Sequence, residues 1–183
     1  MYSKLDILKA IKAGYLKVEP FDKNDLKPNA LILHLDNKIA IAKKGTVDPL
    51  KGGFSKLYNQ RTLRDGEQFK IKAGQLILAR TKEKISIGRK LAMFIQGRST
   101  LARLGLSVTQ TAMVIEAGHG VPTPRKIILE VSNSGPLDVI LTPGMKIAKV
   151  TIFELDTPSD VLYDSYGKYG TREDKDALLP LKE

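Results

Sequence analysis

Two arginines, two hydroxyl side chains and two glycines lie within ten consecutive residues in the middle of this chain. The segment reads Gly97-Arg98-Ser99-Thr100-Leu101-Ala102-Arg103-Leu104-Gly105-Leu106. Guanidinium and hydroxyl groups bind phosphate oxygens well. If one of the two arginines binds phosphate, the other remains available for a different partner. The segment therefore predicts a phosphorylated substrate.

A lone carboxylate, Glu130, follows in the apolar run Ile127-Ile128-Leu129-Glu130-Val131. In an extended strand Glu130 shares a face with Ile128 and Ser132, and the strand pattern alone favours a half-solvated outer face. A carboxylate in such a position can accept and return protons during a hydrolysis.

Length and composition restrict the class of protein. The 183 residues are 42% hydrophobic, which suits one domain with its own core. The chain has no cysteine, which excludes disulfides, thiolate nucleophiles and cysteine-rich zinc sites. The N-terminal residues lack the apolar core of a signal peptide, and no stretch has the length of a membrane span. We expect a soluble, cytoplasmic protein with no membrane partner.

The net charge is +10, which favours polyanionic partners, including nucleotides. However, the basic residues are scattered along the chain, and aromatic residues make up only 6% of it. No aromatic and basic motif of the kind that stacks bases is present. Nucleic acid is therefore not the expected partner.

The elements that must position these residues are predicted to be mainly β. Ser3 and Asp6 form an N-cap pair and Gly14 supplies a stop, so residues 4–13 are predicted to form a short helix. Short apolar runs separated by turn residues predict an antiparallel sandwich or barrel, with strands at 31–35, 38–42, 75–80, 91–95, 126–132, 139–141 and 146–155. We expect strands within 105–155 to build the core, 43–65 to form a long loop, and 164–183 to be a mobile tail.

Taken in order, these motifs resemble the dCTP deaminase family. The resemblance covers about residues 4–172, and its specific motifs are residues 97–106, Gln110-Thr111-Ala112, Ile115-Glu116-Ala117-Gly118, Leu129-Glu130 with Asn133, Pro143-Gly144-Met145-Lys146-Ile147-Ala148, and Gly167-Lys168-Tyr169. It implies a dUTPase-like distorted β-barrel or jelly roll that works as a homotrimer with sites between subunits. It further implies one domain over 1–163, and a tail over 164–183 that closes over the nucleotide.

The resemblance also implies a reaction, in which dCTP is hydrolysed at its cytosine to dUTP and ammonia, with dTTP as an inhibitor. Mg²⁺ would be bound through the substrate triphosphate. Zinc is not expected, because the chain has no cysteine and only two histidines, His34 and His119. A metal-free route through a glutamate is what the family uses.

The family's functional residues match positions in this chain. The matching catalytic residues are Glu130, which moves protons, and Ser99 and Arg103, which position the water, the base or the carboxylate. Arg103 beside Glu130 would oppose the rise in carboxylate pKa that burial causes. Glu116 would bind the sugar. The whole predicted substrate-binding set is Arg98, Ser99, Thr100, Leu101, Ala102, Arg103, Thr111, Ala112, Glu116, Ile128, Leu129, Tyr163, Lys168 and Arg172.

The chain departs from the family pattern at several positions. Glu116 replaces a shorter aspartate, and His119 replaces a large aromatic residue; the histidine could stack on the sugar, but a loop role without a ligand is favoured. Residues 121–124, Val-Pro-Thr-Pro, form an apparent insertion that predicts a stiff turn beside the site. Ile32 and His34 stand where the family has Asp and Arg, so the polar link of that pair is expected to be absent. Arg172 stands where a glutamine is usual.

Three functions therefore remain open at the level of sequence. The first is a dCTP deaminase that forms dUTP. The second is a phosphohydrolase, either a dUTPase or a bifunctional enzyme that forms dUMP, in which Glu116 activates water toward the α-phosphate with Mg²⁺. The third is a non-catalytic nucleotide-binding trimer.

Overall fold

Antiparallel strands make up most of the structure, a computed structural model that describes residues 1–48, 50, 54–166 and 178. The helices are α1 (Lys4–Lys12), α2 (Ser99–Ala102) and α3 (Tyr163–Tyr166), and two 3₁₀ turns span Lys23–Asp25 and Phe54–Leu57. The strands are β1 (Leu16–Glu19), β2 (Leu26–Lys27), β3 (Ala30–His34), β4 (Lys38–Ala42), β5 (Tyr58–Thr62), β6 (Phe69–Ile71), β7 (Leu76–Ile87), β8 (Leu91–Gly97), β9 (Leu106–Ser107), β10 (Val114–Ile115), β11 (Arg125–Asn133), β12 (Val139–Leu141) and β13 (Lys146–Glu154). The prediction of a mainly β fold with an N-terminal helix is confirmed.

Two antiparallel sheets contribute to one continuous apolar core. The first has the order β5-β4-β7-β11-β9, and β1 also pairs with β7. The second has the order β10-β8-β13-β3-β2, while β6 and β12 form a separate pair. The expectation that strands within 105–155 build the core is too narrow, because β7 runs through the first sheet for 12 residues and β3 and β8 flank β13 in the second.

The N-terminal helix begins with the predicted cap. Ser3 and Asp6 form a reciprocal capping box, and Gly14, with a φ of +79°, follows the last turn. The side chains of Ile7 and Ala10 are buried, whereas Leu5 is 66% exposed. The apolar face of α1 therefore packs on the sheets through Ile7 and Ala10.

The region 43–65, predicted to be a loop, contains the strand β5. It pairs with β4 from Lys38 opposite Thr62 to Ala42 opposite Tyr58. The sequence Tyr-Asn-Gln-Arg-Thr shows no apolar alternation because β5 lies at the edge of the first sheet with its side chains largely exposed. Backbone hydrogen bonds to β4 hold such a strand without an apolar pattern.

Candidate functional site

Strand β11 carries Glu130 and alternates strictly between two faces. Leu129 and Val131 are fully buried, whereas Ile128, Glu130 and Ser132 are half-buried on the opposite face. Burial of each large apolar side chain stabilises the fold by about 1.5–3 kcal/mol, which fixes the register of the strand and thus the face of Glu130. The predicted face of Glu130 is confirmed.

Gln110 holds the neighbouring loop against this face of β11. Its side-chain amide donates to Ser132 Oγ at 2.7 Å and to the carbonyl oxygen of Glu130 at 3.3 Å, and its backbone N–H donates to the Glu130 carboxylate. Thr111 and Ala112 follow directly and are exposed. The chain thus brings three of the predicted residues, Glu130, Thr111 and Ala112, to one place.

Burial raises the pKa of the Glu130 carboxyl, and hydrogen bonds from the backbone N–H groups of Glu130 and Gln110 offset only part of that rise. Within the part of the chain that the structure describes, no hydrogen bond or ion pair joins Glu130 to Ser99 or Arg103. The expected effect of Arg103 on this pKa is therefore not seen within the single chain.

This raised pKa predicts a stability effect. A carboxyl with a raised folded-state pKa supports folding while it is protonated, and that support is lost as the pH rises through the folded pKa. For a single copy of the chain, in which the described residues form no ion pair with Glu130, we therefore expect Glu130→Gln to raise the melting temperature at pH 7, and the gain to vanish near the ordinary glutamate pKa of about 4.3. Thermal unfolding of both proteins at pH 7.5 and pH 4 measures this.

Glu154→Gln is the matched control for that measurement. Glu154 is exposed, and its hydrogen bond with Lys90 lowers its pKa, so removing its charge should not raise the melting temperature at pH 7. A lower melting temperature for Glu130→Gln at pH 7 would contradict the prediction and would reveal a cation facing Glu130 in the assembled protein.

A half-buried ion cluster lies at the start of β11, on the face that carries Glu130. Lys126 Nζ lies 2.7 Å from Asp36 Oδ2, and Arg80, which pairs with Ile128 across the strands, also contacts that oxygen. Burial acts to raise the pKa of Asp36, but the hydrogen bonds from Lys126 and Arg80 outweigh it, so that this pKa lies below its usual range. Sequence reasoning missed this cluster, because its members come from three separate segments.

The arginine and hydroxyl segment forms the end of β8 and the short helix α2. Ser99, Thr100, Ala102 and Arg103 are exposed, whereas Leu101 is only 7% exposed and anchors α2 in the core. Gly105, with a φ of +87°, lies so close to Gly135 that a Cβ would meet its backbone nitrogen at 2.2 Å. The close approach of Gly105 to Gly135 places α2 beside the end of β11.

Arg98 at the start of α2 is fixed by the second sheet. Its Nη1 donates to the carbonyl oxygen of Lys146 at 3.1 Å, and Lys146 Nζ lies 3.0 Å from Asp25 Oδ1. Asp25 in turn lies 3.7 Å from His34 Nε2, and His34 Nδ1 lies 2.7 Å from Glu83 Oε1. Ile32 is buried and apolar, whereas His34 makes a polar link of its own to two carboxylates, which the sequence did not predict.

The predicted sugar-binding residue, Glu116, is exposed in the turn before β11 and accepts a hydrogen bond from Tyr166. Tyr163 lies against the same turn, and its backbone N–H donates to the carbonyl oxygen of Ala117 at 2.9 Å. The start of the segment predicted to be a mobile tail thus forms helix α3 and packs beside Glu116.

Arg125 and Asp164 hold that helix in place. Arg125 Nη2 lies 2.6 Å from Asp164 Oδ1, with side-chain exposures of 2% and 7%, and the guanidinium lies 5.1 Å from the centre of the Tyr163 ring. His119 is buried, with Nδ1 3.3 Å from Arg125 and its ring 6.2 Å from that of Tyr163. The packing supports the structural role favoured for His119.

Sequence reasoning missed the Arg125 and Asp164 pair. The only signal was the insertion itself, since residues 121–124 form the predicted turn outside the strands and deliver Arg125 to the start of β11. An ion pair between such distant residues leaves no local pattern.

Three of the predicted substrate-binding residues have no described side chain at the site. Lys168 and Arg172 lie outside the described residues. Leu129 presents its side chain to the core, so only its backbone faces the site. Leu178 is buried against Ala40, Leu78 and Ile128, on the face that carries Glu130.

Residues 1–48, 50, 54–166 and 178 contain no group of three or more His, Asp or Glu side chains arranged to hold a metal ion. Among the same residues, no helix has the length and apolar character of a membrane span.

Comparison with known proteins gives consistent matches. A family model described as dCTP deaminase-like matches residues 1–155. A protein from Corynebacterium glutamicum named dCTP deaminase, dUMP-forming, is 34% identical over 175 residues, which cover 94% of this chain and 89% of that protein. A Haloarcula marismortui protein named dCTP deaminase is 32% identical over 167 residues, which cover 88% of this chain and 84% of that protein.

A solved structure supports the fold. The crystal structure of 2′-deoxycytidine 5′-triphosphate deaminase from Agrobacterium tumefaciens superposes with a TM-score of 0.65 at 16% identity. The match covers 85% of this chain and 48% of that one, so the chain spans about half the length of that protein. At this identity the likeness shows a shared fold.

Proposed function

Because the chain belongs to the dCTP deaminase-like family, we propose that it hydrolyses the cytosine amino group of dCTP and releases ammonia. The observation that carries the proposal is the Glu130 carboxylate, which is half-buried on β11 next to Gln110 and whose pKa is raised by burial. A raised pKa brings a carboxyl closer to neutral pH, where it can both accept and donate protons.

The proposed reaction needs one water molecule and one proton carrier. Water attacks C4 of cytosine while Glu130 accepts its proton, and Glu130 returns that proton to N3. The tetrahedral intermediate then breaks its bond to the amino nitrogen, and Glu130 transfers the remaining hydroxyl proton to the leaving ammonia. The overall change is dCTP and water to the uracil nucleotide and ammonia.

The phosphates of the substrate are proposed to lie at α2. Its exposed Ser99 and Thr100 and the fixed guanidinium of Arg98 offer donors and positive charge to phosphate oxygens. These side chains suit the substrate better than a bare metal ion, so Mg²⁺ would reach the site on the triphosphate. When bound there, Mg²⁺ would neutralise phosphate charge.

We further propose that the site is completed by a second copy of the chain, in a homotrimer. Within the described part of one chain, no hydrogen bond or ion pair joins Glu130 to Arg103, although the family resemblance gives both residues a catalytic role. Closed cyclic assemblies place the same two surfaces of neighbouring copies against each other, and this can bring Arg103 of one copy to Glu130 of the next.

The identity of the product divides two candidate functions. The product predicted from the family resemblance is dUTP, whereas the name of the Corynebacterium relative favours dUMP. Formation of dUMP would need a second hydrolysis, in which water attacks the α-phosphate and pyrophosphate leaves. Glu116 is the carboxylate proposed for that step.

Incubation of the purified protein with dCTP and Mg²⁺ tests the function. We expect release of ammonia in an amount equal to the uracil nucleotide formed, and we measure ammonia, dUTP, dUMP and pyrophosphate together. Accumulation of dUTP supports the first candidate, and dUMP with pyrophosphate supports the second. The absence of ammonia would overturn both, and nucleotide binding without turnover would then support the non-catalytic trimer.

A further inference from the structure

The phenol of Tyr166 donates a hydrogen bond to Oε2 of Glu116, a residue 50 positions earlier in the chain. Both side chains are exposed, so water is available to each of them and burial does not force the contact. The other carboxylate oxygen of Glu116, Oε1, does not accept this hydrogen bond.

Helix α3 gives the Tyr166 hydroxyl a defined position. The backbone N–H of Tyr163 donates to Ala117, one residue after Glu116, and the rings of Tyr163 and Tyr166 pack edge to face with centres 6.0 Å apart. The ion pair between Asp164 and Arg125 ties the same helix to the start of β11. The backbone hydrogen bond to Ala117 and the ion pair with Arg125 thus hold α3 next to the turn that carries Glu116, and the packed rings fix Tyr166 within the helix.

A glutamate that binds a ligand benefits more than an aspartate from a hydrogen bond that fixes its side chain beforehand. Its additional methylene group adds a rotatable bond, and an exposed glutamate that binds a ligand loses more side-chain entropy than an aspartate at the same position. A hydrogen bond that selects one arrangement before binding removes part of that loss.

We propose that Tyr166 positions Glu116 and thereby sets the preference for deoxyribose over ribose, an inference that rests on the proposed nucleotide site. With Oε2 engaged by Tyr166, one carboxylate oxygen serves the sugar and accepts from the 3′-hydroxyl. On binding, the 2′-hydroxyl of a ribonucleotide would then lose its hydrogen bonds to water without finding an acceptor in the protein, and this weakens the binding of the ribonucleotide. Without the phenol, both oxygens could serve the 2′- and 3′-hydroxyls together.

The test compares dCTP and CTP with Tyr166→Phe, which keeps the ring and removes the hydroxyl. We expect the ratio of the CTP Kd to the dCTP Kd, measured by calorimetry, to fall roughly tenfold to 150-fold, as suits one hydrogen bond to a charged group. In turnover, KM for dCTP should rise while kcat stays near its original value. Tyr15→Phe is the matched control, because Tyr15 is similarly exposed and, among the described residues, makes no hydrogen bond to Glu116.

The outcomes separate this proposal from the proposed reaction. An unchanged ratio of the two Kd values in Tyr166→Phe would overturn the role of Tyr166, whatever the turnover. If the original protein binds dCTP without releasing ammonia, the reaction is wrong, while the binding ratio still decides the role of Tyr166. If it binds neither nucleotide, both proposals fail.

Discussion

Glu130→Gln should lower the release of ammonia from dCTP by about 10²–10⁴-fold, the contribution typical of a general acid and base. Glutamine has nearly the same shape as glutamate but cannot carry the proton from water to N3 and then to ammonia. The expected loss lies in kcat, with nucleotide binding largely retained. Single-turnover ammonia release together with calorimetric binding of dCTP measures the two effects separately.

Two comparisons sharpen this experiment. Glu154→Gln removes an exposed carboxylate on β13 and should leave ammonia release unchanged. If Glu130→Gln still releases pyrophosphate from dUTP while its ammonia release is lost, the chain also has the phosphohydrolase activity. Unimpaired ammonia release by Glu130→Gln would remove Glu130 from the mechanism.

Mixed assemblies test whether the site is shared between copies. Glu130→Gln and Arg103→Ala subunits should each have low activity, but unfolding and refolding them together should restore part of it. Some interfaces in the mixture then combine an intact Glu130 with an intact Arg103 from the neighbouring copy. If mixing restores nothing, the two residues do not act across an interface.

Removal of Arg125 should destabilise the protein by about 3–5 kcal/mol, because it leaves Asp164 as a buried charge without its cation. Arg125→Met keeps most of the side-chain volume, so that the lost charge dominates the effect. The free energy of unfolding, measured by urea denaturation, gives the magnitude. The double variant Arg125→Met with Asp164→Leu should lose less than the sum of the two single changes.

The exposed pair of Lys90 and Glu154 provides the control for this measurement. Lys90 Nζ lies 2.8 Å from Glu154 Oε1, with side-chain exposures of 50% and 48%. Lys90→Met should leave the free energy of unfolding nearly unchanged, because water screens an exposed pair. Equal losses for Lys90→Met and Arg125→Met would show that the buried position of Arg125 adds nothing to the stability.

Local patterns were sufficient for much of the fold and for the position of Glu130. The capping box at Ser3 and Asp6 spans four residues, and the alternation around Glu130 repeats every two residues, so both can be recognised without the rest of the chain. The strand β5 was not predicted, because an exposed edge strand has no apolar repeat that a local pattern could reveal.

The sequence by itself determined the class of fold, the face of β11 that carries Glu130 and the motif shared with the family. Only the tertiary structure decided that Arg125 pairs with Asp164, that Tyr166 binds Glu116, and that His34 bridges Glu83 and Asp25. Short-range patterns follow from the geometry of a single helix or strand. Pairs of residues about 50 positions apart depend instead on the path of the whole chain, which no local spacing encodes.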